Sequence, residues 1–169
     1  AGTAFEIGVE SGTSALVLTA AGDTALDASG SLRFTAAGFA SASATSVRVK
    51  LNETTTDYAT TPLALSIDGV SATLAAAPGS QSVSVTGLMV DISTFVHLEG
   101  NFGFRKTGGD IEATANAVVA TLKAGTAFEI GVESGTIALV LTAAGDTALD
   151  ASGSLRFTAA GFASASATS

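Results

Sequence analysis

A single repeat constrains this chain more than any other feature. Residues 1–46 and 124–169 are the same 46-residue segment, displaced by 123 positions. The two copies differ once, at Ser14 in the first and Ile137 in the second. Such self-similarity marks an array whose copies are structural units that lean on their neighbours. Near-identity over the whole segment points to duplication rather than convergence. The sequence therefore holds one full unit, 1–123, followed by the start of the next. The stretch 39–51 reads as one strand, so a break at 46/47 suits a circularly shifted unit: 1–46 is then a partial copy and 47–169 one complete repeat. Either identical segment would complete 47–123, which predicts contacts with adjacent copies and strand exchange into a homo-oligomer. It also predicts an unpaired strand edge near Ser169.

Alternation with a period of two dominates the rest. In 4–10, Phe5, Ile7 and Val9 oppose Glu6, Gly8 and Glu10; in 96–105, Val96, Leu98, Phe102 and Phe104 oppose His97, Glu99, Asn101 and Arg105. Similar strands are predicted at 26–35, 47–51 and 111–122, with others at 14–20, 63–67, 70–75, 82–86 and 88–93. Turn residues separate them at Ser11 and Gly12, Gly22 and Asp23, Asp68 and Gly69, Pro78 and Gly79, and 107–110. The polar run 52–61 reads as a linker. Hydrophobic residues make up 47%, but much of that is Ala, only 6% are aromatic and Trp is absent, a composition suited to thin β layers. The expected fold is all-β and antiparallel, either a β-sandwich or a long twisted, solenoid-like β-sheet. Position 14 shares parity with Leu16 and Leu18 on the presumed inner face. A buried Ser there costs about 1–2 kcal/mol relative to Ile, so its survival suggests a place near a strand end.

Charge and motifs narrow the function. Fifteen acids against seven scattered bases argue against nucleic-acid binding, which needs clustered cations. No cysteine is present, so disulfides and thiolate chemistry are excluded. No apolar run is long enough for a membrane helix, and no membrane insertion is expected. His97, the only histidine, lies on a polar strand face with Glu99 two residues on, yet no nucleophile is tied to it by motif. Clustered carboxylates supply candidate calcium ligands: Asp23 and Asp27, recurring as Asp146 and Asp150, and Asp110 with Glu112 beside a Gly-rich turn. Calcium takes about 6–8 converging oxygens, and these spacings match neither an EF-hand nor a calcium β-roll nonapeptide. No catalytic or other cofactor site is read.

Near-identical long units, richness in Ala, Gly, Ser, Thr and Val, acidity and the cadence of 83–113 carry a resemblance. The chain resembles the repeat regions of giant bacterial secreted or cell-surface proteins, including adhesins with RTX-type ends. That resemblance implies an extracellular, non-catalytic extender projecting a distal binding domain, often with calcium between units. The alternative is a low-affinity adhesive module acting through avidity on glycans or surfaces. Unit 1–123 carries 11 acids and 6 bases, a net −5 that recurs in each copy and discourages collapse.

Overall fold

The computed structural model describes residues 5–36, 39–159 and 163–168; Ala4 and Ser169 lie outside them. Eleven strands and no helix make up this part: β1 Phe5–Leu18, β2 Thr24–Ala36, β3 Ala40–Asn52, β4 Leu63–Ile67, β5 Val70–Leu74, β6 Gln81–Ile92, β7 Val96–Thr107, β8 Asp110–Ala124, β9 Phe128–Leu141, β10 Thr147–Ala159 and β11 Ala163–Thr168. Nine of them form one antiparallel sheet in the order β1-β2-β3-β6-β7-β8-β9-β10-β11, and β4 and β5 form a separate hairpin. Of the two architectures expected, the long single sheet is the one present. Among the described residues, a second layer exists only where the hairpin packs against β1 and β2. The physical reason is plain, since the only strands left over from the sheet are five residues each.

The repeat maps strand for strand. The β1–β2 register runs from Phe5↔Ala36 to Leu18↔Thr24, and β9–β10 runs from Phe128↔Ala159 to Leu141↔Thr147, the same pairs 123 residues on. The second copy joins the first by pairing β9 to β8. The positions 46/47 and 123/124 fall within β3 and β8, and the sheet crosses both without interruption.

Two pairs of predicted strands prove to be single long strands. Ser11 and Gly12 are a bulge inside β1 rather than a turn, because the flanks on both sides pair with β2. Segments 82–86 and 88–93 likewise merge into β6 across a register shift at Gly87. Bulges or register shifts fall near the middle of β1, β3, β6, β8 and β9, in a row running across the sheet. Positive φ accompanies the row at Ser11, Gly87, Gly100, Ala117 and Ser134. Such bulges bend strands and sharpen their twist. Small residues suit the row: a Cβ at Gly30 would stand 2.9 Å from Val9 Cγ1.

Cross-strand partners share a face, so the registers sort every strand residue. One face carries Ile7, Leu26, Val49, Val83, Phe104 and Leu139 and is largely apolar, with Lys106 its one charge among the described sheet residues; the other carries the remaining charges. The hairpin covers the polar face near one end. There Ala15, Ala25 and Leu74 are buried, packed by Val17, Tyr58, Leu63, Leu65 and Ala72. Burying Leu74 contributes about 1.5–3 kcal/mol.

Position 14 corrects the sequence reading. It does share a face with Leu16 and Leu18, but Leu16 is 52% and Ile137 41% exposed, and the position lies well inside the strand. Nothing covers it, so Ser carries little of the burial penalty anticipated for it. The linker reading of 52–61 is also revised. Asn52 and Thr54 are buried, and Asn52 organises the segment. Its Nδ2 donates to the Thr56 and Ala76 carbonyls at 2.9 Å each, while its Oδ1 accepts from the Thr54 N–H at 3.0 Å and hydroxyl at 2.8 Å.

Candidate functional site

The polar face holds the titratable groups, arranged by strand pairing into separate clusters. β6 and β7 pair Asp91 with His97. The His97 ring is held on both sides, Nδ1 2.7 Å from Asp91 Oδ1 and Nε2 2.9 Å from Glu99 Oε1. The hydrogen bond to Asp91 is the main influence raising its pKa; partial burial opposes it and Glu99 adds to it. Sequence spacing found Glu99, because residues two apart in a strand share a face. Asp91 was missed, since it arrives from a neighbouring strand and only the register reveals it. A histidine with both nitrogens engaged by carboxylates is a clamp across β6 and β7. To act as a base it would have to release one of them.

The candidate calcium ligands are dispersed. Asp27, beneath the hairpin, accepts Arg48 Nε at 2.8 Å and Nη2 at 2.7 Å, and the Ala75 N–H at 3.1 Å. Burial pushes its carboxyl up, but Arg48, the Ala75 amide and Lys50 outweigh that and leave its pKa below the ordinary value. Glu112 pairs with Arg105, and Asp110 accepts the Ala143 N–H at 2.8 Å across the next turn. Asp23 and Asp146 occupy equivalent tight turns, each backbone N–H bonded to the hydroxyl of Thr19 or Thr142 at 3.0 Å. Asp150 is exposed. Among the described residues no three His, Asp or Glu side chains gather as a metal-holding group.

A further cluster, not anticipated from the sequence, sits at the junction of the two copies. Glu129 on β9 takes Lys123 from β8 at 3.2 Å and Arg156 from β10, and Arg156 Nε also lies 3.4 Å from Glu133. Lys123 first, then Arg156, holds the Glu129 carboxyl below its usual range. Lys123 is the last residue of one unit and Glu129 belongs to the next, so this pair ties copy to copy. Comparison with known proteins finds no family model, curated protein or solved structure that matches the chain. The geometry must speak alone, and it describes cross-strand ties rather than a pocket of converging reactive groups.

Proposed function

We propose that this chain is a structural repeat that extends one continuous sheet, a non-catalytic extender of a giant secreted or cell-surface bacterial protein. The observation that carries the reading is the passage of the sheet from β8 into β9, where the second copy begins with the strand registers of the first. Each copy supplies six strands to the sheet, β1, β2, β3, β6, β7 and β8. Six is even, so β9 runs in the same direction as β1 and a further copy can follow without a crossover. At about 4.8 Å per strand, each copy lengthens the sheet by roughly 29 Å. The repeated acidity supports the role by keeping long arrays from associating through their polar faces.

A cysteine pair tests it, since the chain has no cysteine of its own. Thr114 on β8 and Ala138 on β9 are exposed partners across the junction of copies. Thr114→Cys with Ala138→Cys should oxidise within one chain, leaving a monomer on a non-reducing gel. Disulfide-linked dimers would instead support exchange of the identical segments between molecules, and failure to oxidise would remove the continuous-sheet reading.

A further inference from the structure

The sheet face opposite the hairpin is apolar from edge to edge. On β7 it presents Val96, Leu98, Gly100, Phe102 and Phe104, and its partners on β6 and β8 are Val, Leu, Ile or Ala at nearly every position. Fourteen of the twenty exposed large hydrophobic residues belong to this face, Ile7, Leu18, Leu122 and Leu149 among them. Among the described residues of the nine-stranded sheet, one charge lies on it: Lys106, at the end of β7 opposite Gln81 and Ile111. Nine strands at about 4.8 Å and a height of about 26 Å give an area on the order of 1,000 Å². Exposed patches on soluble monomers reach only a few hundred Å².

Three observations choose the occupant. The apolar run on β7 spans eight residue steps, about 26 Å, against a lipid-facing band of about 25 Å in transmembrane barrels. Of the aromatic girdles that barrel walls carry at both interfaces, one end of this face shows a counterpart. Phe34, Phe39, Phe95, Phe128 and Phe157 cluster there, and Thr24, Gln81, Lys106 and Thr147 close the other end. The single difference between copies, Ser14 against Ile137, falls on this face. A close-packed interface with a second sheet registers even one methylene, whereas fluid acyl chains adapt in shape to either residue and penalise only the Ser hydroxyl. A shallow, open groove of about 400 Å³ runs along Leu26, Val49, Val83 and Phe104 and ends at Gln81 and Lys106.

We infer that this face contacts the hydrocarbon of a lipid bilayer, the sheet being a sector of a transmembrane β-barrel wall with the hairpin on its aqueous side. Alternating strands, an even strand number per copy, and charges carried on the inner face, with Lys106 at the end of the band the one exception among the described sheet residues, fit such a wall. This departs from the expectation of no membrane insertion, which rests on the lack of an apolar helix; no described helix is long and apolar enough to cross a membrane, and barrels cross with strands. Spanning sheets leave no open edge in hydrocarbon, so the free edges of β1 and β11 must also find partners in further strands or chains. The inference therefore rests on the strand-addition reading, which the cysteine pair tests separately.

The full chain lacks tryptophan, so single Trp variants report unambiguously. Ile137→Trp and Ala138→Trp are neighbours on opposite faces, and both positions are exposed. Each variant is refolded from denaturant into phosphatidylcholine vesicles whose acyl chains carry bromine, with strand content followed by circular dichroism. Emission from Ile137→Trp should fall severalfold, and emission from Ala138→Trp should be nearly unchanged. Ser14→Trp repeats the reading in the first copy, so a folding failure at one site does not decide the matter. Equal quenching on both faces, quenching on neither, or a chain that stays in the aqueous fraction as a dimer with position 137 shielded from acrylamide would overturn the inference.

Discussion

Asp27 and Asp150 occupy the same place in the repeat, yet Asp27 is buried under the hairpin beside Arg48 while Asp150 is exposed. Removing the first carboxylate strands the Ala75 N–H and deprives Arg48 of its partner. Asp27→Ala should therefore cost about 1–3 kcal/mol in denaturant unfolding, with Asp150→Ala near zero. Equal costs would show that the Arg48 pair is idle. Because the folded carboxyl lies below its ordinary value of 3.8, its contribution is present above that value and lost as the pH falls through the folded pKa. His97 has the opposite sign. Its pKa is raised from 6.5, so the clamp to Asp91 and Glu99 is fully present below 6.5 and lost as the pH rises through the folded value. An NMR titration of the ring should give a midpoint above 6.5 that moves down in Asp91→Asn. A midpoint unmoved by that substitution would mean Glu99 alone holds the ring.

At the level of elements, the segment leading into the hairpin β4–β5 is organised by Asn52, as the hairpin's apolar packing is by Leu74. Four hydrogen bonds converge on the Asn52 side chain in a site with no access to solvent. Asn52→Ala orphans the Ala76 and Thr56 carbonyls, at about 1–3 kcal/mol for each buried group left unsatisfied. Amide exchange should then accelerate throughout 53–80 while β7, β8 and β9 keep their protection. Uniform acceleration would show that hairpin and sheet open as one unit. Little of this was legible beforehand. The run of Asn, Glu, Thr and Asp reads as solvated chain, and only its folding back over the end of β3, with Ala76 brought alongside, turns Asn52 into a buried hub. Strand positions, by contrast, were legible from alternation. The bulges were not, because Ser11 and Gly12 have the composition of a turn, and only pairing of both flanks with β2 identifies a bulge.

For the whole molecule, the two copies form an internal comparison. Ala15 and Ala25 are 1% and 0% exposed, while Ala138 and Ala148, in the same registers of the next copy, are exposed. The difference is the hairpin, which packs on β1 and β2 and has no counterpart on β9 and β10 among the described residues. Extending the chain after Ser169 with a second 47–123 should bring another hairpin down on β9 and β10. Amide exchange at Ala148 should then slow to match Ala25. Unchanged exchange at Ala148 would mean that copies do not repeat the same packing. From the sequence alone, alternation determined an all-β fold and repetition two copies of one 46-residue segment set 123 residues apart, because covalent order and side-chain parity carry that information locally. Which strands pair, where Asp27 and His97 find their partners, and that an entire face goes uncovered were decided only by tertiary structure. Register is a relation between distant segments, and shifting it by one residue exchanges the two faces of a strand.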